Sequence, residues 1–208
     1  MTEVLLKASD LTCERDDRIL FQNLSLHVRP GNLIRIGGAN GAGKTTLLRI
    51  LAGLSFHYTG ELQWRGQSVA RARETYLANL LFMGHRAAIT PALTPMENLE
   101  SFMRMRQPVT RADLMAALAA AGLEFFEDIP ARNLSAGQQR RIALARLYLS
   151  TEPLWILDEA FTAIDREAVA ALEQLLLQRS RAGGAVILTT HHPLTLPGCE
   201  EIVLGGRG

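Results

Sequence analysis

The spacing of apolar positions changes along this chain, and each change predicts a different kind of element. From Val4 to Val28 the segments are β-like with partial alternation, clearest at Leu24, Leu26 and Val28, which predicts strands with one buried face. A Pro30-Gly31 turn leads into Leu33-Ile34-Arg35-Ile36-Gly37, which predicts a short buried strand. Leu47, Leu48 and Leu51 follow at helical spacing and predict a helix from Lys44 to about Ala52. Gly60 to Gly66 predicts a hairpin, and Leu80-Leu81-Phe82-Met83 another buried strand.

From about His85 to Ser150 the pattern is mostly helical. Thr94-Pro95-Met96-Glu97 is a capping box with Pro at the first helical position, so a helix is expected from there to about Arg106. A second is expected from Thr110 through Leu114, Ala117, Leu118 and Ala121, stopped by Gly122. Ser135 and Gln138 form another capping box, ahead of Ile142, Leu144 and Leu147. Strand spacing returns at Pro153 to Asp158, then a helix from about Arg166 to Arg181 and a strand at Ala185 to Thr190. Such alternation predicts an α/β fold with a parallel sheet and helices packed on it. The expected organisation is one domain over 1–208, with a core of about 1–84 and 151–208 and a helical subdomain of about 85–150.

A chain of 208 residues suffices for one well-buried core and is too short for two nucleotide-binding domains. The 22 Lys and Arg against 21 Asp and Glu leave a formal charge of +1, which gives no global field favouring nucleic acid. Met1 to Val4 is not a basic segment ahead of an apolar stretch, so no secretory leader is expected. Apolar runs such as Leu154-Trp155-Ile156-Leu157 fall far below the ~20 residues that span a bilayer, so a membrane role is expected only through a partner. Cys13 and Cys199 are isolated and are expected to remain reduced thiols.

The most specific chemistry lies in Gly38-Ala39-Asn40-Gly41-Ala42-Gly43-Lys44-Thr45-Thr46, a complete phosphate-binding loop. Its glycines allow positive φ and turn backbone N–H groups toward an anion, where a Cβ would block close approach. Lys44 supplies a point charge for the β- and γ-phosphates, Thr45 a hydroxyl for Mg²⁺, and the following helix its positive dipole end. Leu154 to Glu159 is an apolar strand ending in two acids, where open α/β sheets place ligands. Asp158 is expected to hold Mg²⁺ directly or through a water, and Glu159 to orient or deprotonate an attacking water. Solvated acids at a strand end would be the plain alternative, were there no phosphate loop upstream. At Ser135 the cap alone is ordinary, yet Gly137 in the first turn leaves that helix start open to a second anion.

Leu134 to Arg141, LSAGQQRR, resembles the LSGGQ signature of the ATP-binding cassette family. Phe161-Thr162-Ala163-Ile164-Asp165 resembles the family's D-loop and Thr189-Thr190-His191 its switch histidine, so that the likeness runs through essentially the whole chain. The resemblance implies a P-loop NTPase with a RecA-like parallel sheet core, an N-terminal antiparallel β piece and an inserted helical subdomain. It implies that His191 senses the γ-phosphate, with its neighbour His192 left at the surface. It also implies a head-to-tail dimer of two copies, in which Ser135 and Gly137 of one chain meet the γ-phosphate held by Lys44 of the other. Asp165 has a role as helix N-cap as well as at the dimer contact.

Several positions depart from that pattern. Cys13-Glu14-Arg15-Asp16-Asp17 lacks the aromatic residue that stacks on adenine in the family, and Arg15 could stack by its guanidinium plane instead. Gly84-His85-Arg86 stands where a lid glutamine is expected, so His85 or Arg86 would take over coupling. Ala136 and Ala160 replace a glycine and a proline and should preserve their loops. Within the family, GANGAGKTTLLRILAGL from Gly38, Gly84-His85, NLSAGQQRRIALARL from Asn133, LWILDEAFTAID from Leu154 and TTHHPL from Thr189 resemble in particular the cassettes of bacterial cytochrome c maturation, the haem exporters. This implies an ATPase on the cytoplasmic face of the inner membrane, bound to integral membrane subunits and not itself inserted. A transporter for another small molecule is the nearest alternative. A ribosome- or DNA-acting cassette and a small-molecule kinase fit the motifs less well.

Overall fold

The computed structural model describes residues 3–16 and 18–205; Met1 and Thr2 of the leader reading and Asp17 of the adenine-site reading lie outside them. The chain divides into two compact units, one comprising Met1–Phe82, Glu152–Glu159 and Leu176–Gly208, the other Met83–Thr151 and Ala160–Leu175.

The first unit contains β1 (Leu6–Arg15), β2 (Arg18–Val28), β3 (Leu33–Gly38), α1 (Lys44–Leu51), β4 (Thr59–Trp64), β5 (Gln67–Ser68), α2 (Arg73–Ala78) and β6 (Leu80–Met83, whose last residue falls in the second unit). The second contains α3 (Pro95–Arg104), α4 (Arg111–Ala120) and α5 (Ala136–Leu149). The chain then continues through β7 (Leu154–Asp158) in the first unit, α6 (Arg166–Arg181), which belongs to the second unit up to Leu175 and to the first from Leu176, and β8 (Ala185–Thr189) and β9 (Cys199–Leu204) in the first. An antiparallel sheet has the order β2-β1-β4-β5, and a five-stranded sheet the order β6-β7-β8-β3-β9.

Every residue of β7 and β8 is buried, as is all of β3 except Arg35 and Gly38, which are half-buried. Strands covered on both faces read as continuous apolar runs, which is why these three were visible in the sequence. α1 buries Leu47, Leu48, Ile50 and Leu51, at about 1.5–3 kcal/mol each, and this fixes the helix whose start closes the phosphate loop. In the second unit α3 and α5 begin with the reciprocal capping boxes expected of them, at Thr94–Glu97 and Ser135–Gln138, and α4 starts at Thr110 as expected, with a further box there to Asp113. Met96, Leu99, Met103, Leu114, Leu118 and Ile142 form their shared core. Among the described residues no helix is long and apolar enough to cross a membrane.

Two elements were not anticipated. α2 has only six residues and is anchored by Tyr76, whose hydroxyl donates to the Leu51 carbonyl. β9 closes the parallel sheet next to β3, and the sequence Cys199-Glu200-Glu201 gives it little apolar pattern to announce it.

Candidate functional site

Three neighbouring parallel strands, β7, β8 and β3, end at the same edge of the sheet, so the residues after each converge. β3 delivers Gly38 to Thr46, β7 delivers Asp158 and Glu159, and β8 delivers Thr189, Thr190 and His191. A cleft of about 510 Å³ brings Asn40, Gly41, Gly43, Lys44, Thr45 and Thr46 together with Glu159 and His191. Arg15, Asp16 and Arg18, from the turn between β1 and β2, line it as well.

The loop has the conformation that its glycines allow. Gly41 adopts φ +77° and Gly43 φ +94°, and a Cβ built at Gly41 would meet nothing within 4 Å, so the space above it is open to a ligand. Gly43 is the N-cap of α1 and has no capping side chain, which leaves the first N–H groups of the helix to an anion. Lys44 Nζ donates to the carbonyls of Gly38 and Ala39 at 2.7 and 3.0 Å and so lies across the loop. These features fit a polyphosphate.

Opposite the loop, Thr189 organises both acids. In the β7–β8 register it pairs with Asp158. Its hydroxyl donates to Asp158 Oδ1 at 2.7 Å and accepts the Glu159 N–H at 3.0 Å. Asp158 is almost wholly buried, whereas the Glu159 side chain is partly exposed. Glu159 itself is left-handed, φ +51°, an uncommon setting for a non-glycine residue. Its carboxylate accepts the His191 N–H at 3.3 Å, and the His191 Nε2 lies 3.6 Å from Oε1. Among the described residues no group of three or more His, Cys, Asp or Glu could hold a metal alone. Thr45 lines the cleft while Asp158 lies buried at the end of β7 and is not among its lining residues; a hydroxyl and a carboxylate are donor types that suit Mg²⁺ when phosphate oxygens and waters complete its shell.

His85, Ser135, Gly137 and Asp165 belong to the other compact unit. There Ser135 Oγ accepts the Gln138 N–H at 3.2 Å. A Cβ added at Gly137 would stand 2.9 Å from the Ala163 carbonyl oxygen, so the signature turn and the D-loop are in close backbone contact. Asp165 caps α6 by accepting the Ala168 N–H at 2.9 Å, and its other oxygen takes the Arg141 guanidinium. His85 is held from α5. Arg140 Nη1 donates to the carbonyls of Gly84 and His85 at 3.3 and 3.2 Å, and Arg146 Nη2 to that of Ala88 at 2.6 Å. Burial, with Arg106 nearby, pulls the Arg146 guanidinium down to about 10.

The roles of Thr189, Arg140 and Arg146 were not anticipated, nor was the hydrogen bond from Arg35 Nη2 to the Thr190 carbonyl at 3.3 Å. A charged residue inside the apolar run of β3 was the one visible signal. Among the described residues the cleft lining includes Arg15 and no Phe, Tyr or Trp. Cys13 and Cys199 are both free, and burial raises both thiols, which makes them poor nucleophiles.

Residues 21–162 match the ABC transporter family. The cytochrome c biogenesis ATP-binding export protein CcmA of Hahella chejuensis is 54% identical over 97% of this chain and 96% of its own length. Proteins of the same name from Pseudomonas fluorescens and Escherichia coli are 50% and 52% identical, over 99% and 92% of this chain and 98% and 91% of theirs. Among solved structures, an ABC transporter ATP-binding protein from Pyrococcus furiosus superposes with a TM-score of 0.83 at 22% identity, over 96% of both chains. A dimeric ATP-binding cassette in a post-hydrolysis state, bound to ADP and Pi, gives 0.82 at 24% identity, over 96% of this chain and 94% of that one. Those two establish the fold. With the family match spanning the phosphate loop, the signature helix and both acids, and with relatives half identical over nearly their full length, this chain belongs to the ATP-binding proteins of the ABC transporter family, in the group of the cytochrome c biogenesis ATP-binding export proteins.

Proposed function

We propose that the chain is the ATP-hydrolysing subunit of a membrane transporter, coupling ATP binding and hydrolysis to haem export, or to release of a haem-loaded chaperone, in cytochrome c maturation. The observation that carries the hydrolytic part is the convergence of Lys44, Thr45, Glu159 and His191 on one cleft. The export part is supported by the likeness, over nearly the whole length, to relatives named as cytochrome c biogenesis export proteins.

The N–H groups from Gly38 to Thr46 hold the phosphates, and Lys44 Nζ meets the β- and γ-phosphates as a point charge. Thr45 and Asp158 would hold Mg²⁺. Bound Mg-ATP supplies the bond to be cleaved and neutralises charge on its oxygens. Glu159 orients the attacking water and takes its proton on a carboxylate oxygen. His191 is already within reach of that carboxylate and can turn its imidazole to a γ-phosphate oxygen. The neighbour solved as a dimer supports a pair here too; arranged head to tail, Ser135, Gly137 and Asp165 of one copy would complete the site of the other. His85 or Arg86 takes the place of the lid glutamine. Integral membrane subunits recruit the pair to the cytoplasmic face of the inner membrane, and no nucleic acid takes part.

Glu159→Gln is expected to lower phosphate release by about 10²-fold or more, the usual worth of a general base, while retaining Mg-ATP and sedimenting as a dimer. Wild-type turnover in that variant would overturn the base assignment. Deleting the gene is expected to abolish covalent haem attachment to c-type cytochromes. Unchanged attachment would leave the ATPase standing and point to a different small-molecule cargo.

A further inference from the structure

Arg35 is the one charged residue of β3. Beside it in the β9 register stands Glu201, and Arg35 Nη1 lies 3.6 Å from Glu201 Oε1. Arg35 Nη2 donates to the Thr190 carbonyl at 3.3 Å, while Nε is buried without a hydrogen-bond partner. Glu201 is closely seated as well, since a Cβ added at Gly37 would meet its Oε1 at 2.6 Å.

The carbonyl that Arg35 grips belongs to the same peptide group as the His191 N–H, which donates to Glu159 Oε2 at 3.3 Å. A peptide group is a rigid plane, so a guanidinium on its oxygen fixes where its N–H points. The same contact polarises the amide and makes it a stronger donor to a carboxylate. Arg35 itself does not line the phosphate cleft.

We propose that Arg35 is a positioning residue for hydrolysis: through the Thr190–His191 peptide it sets the orientation of the Glu159 carboxylate and of the His191 imidazole, and Glu201 anchors the guanidinium. The inference rests on Glu159 being the base. It separates Arg35 from a mere tie between strands, because a tie would change stability and leave the chemistry alone.

Steady-state phosphate release, Mg-ATP affinity and urea unfolding of the full chain test it, with Arg35→Gln, Arg35→Lys, Glu201→Gln, Glu159→Gln and the double variant Arg35→Gln/Glu159→Gln. Arg35→Gln is expected to lower kcat about tenfold, the rate equivalent of one charge-assisted hydrogen bond, with Mg-ATP affinity unchanged. Arg35→Lys should recover part of that loss, and the double variant should be no worse than Glu159→Gln alone. Wild-type kcat in Arg35→Gln beside an inactive Glu159→Gln overturns the positioning role and spares the base. An active Glu159→Gln overturns the base reading itself. Should Arg35→Gln fail to fold, Glu201→Gln decides: a lowered kcat at unchanged stability upholds the proposal, and a wild-type kcat overturns it.

Discussion

Thr189 carries more of the site than its modest side chain suggests. One hydroxyl serves Asp158 and the Glu159 backbone at once, inside a fully buried setting. Removing it takes a buried hydrogen bond from the Asp158 carboxylate, while the Glu159 N–H keeps its bond to the Thr189 carbonyl at 3.2 Å. Thr189→Val is therefore expected to destabilise the protein by about 1–3 kcal/mol in urea unfolding and to lower turnover as well, with Thr189→Ser close to wild type in both. The phosphate loop and the two acids were legible in the sequence because their chemistry needs particular residue types at close spacing, and His191 only through the family resemblance. Thr189 and Arg35 were not, because each acts through the register of strands far apart in the chain, Asp158 with Thr189 and Arg35 with Glu201. Periodicity carries no information about register between distant strands.

Helix starts behaved differently from strand pairings. The starts at Thr94, Thr110 and Ser135 were all readable, the boxes at Thr94 and Ser135 among them, because a cap is settled within four residues. Thr94→Ala should accordingly cost about 1 kcal/mol of stability, measurable by urea unfolding. The edge strand β9 and the short helix α2 escaped notice because neither has enough periodic apolar positions to stand out. The contact between the signature turn and the D-loop was equally hidden. It depends on Gly137 lacking a side chain and on Ala163 being left-handed, φ +62°. In Gly137→Ala the new Cβ would press on a backbone carbonyl, which cannot turn aside as a flexible side chain would. The expected outcome is a weaker ATP-dependent dimer at unchanged Mg-ATP affinity, read by sedimentation with ATP in the Glu159→Gln background.

The two compact units divide the proposed chemistry between them, one holding the phosphate loop and both acids, the other holding the signature turn and the D-loop. An α/β fold with a helical insertion was readable from the switch in apolar spacing. The placement of residues 160–175 in the helical unit was not, since a helix following a strand looks alike in either unit. Expressed alone, the chain is expected in the supernatant after ultracentrifugation, and in the membrane pellet only with its integral subunits. The left-handed backbone of Glu159 bears on the stability of the entire protein. Strain of that kind costs of order 1–3 kcal/mol, which for a chain of this size corresponds to a melting point lower by several degrees. Asparagine visits this conformation more readily than glutamate. Selection for heat resistance alone should therefore drift toward Glu159→Asn, yielding a tougher protein that no longer turns over ATP.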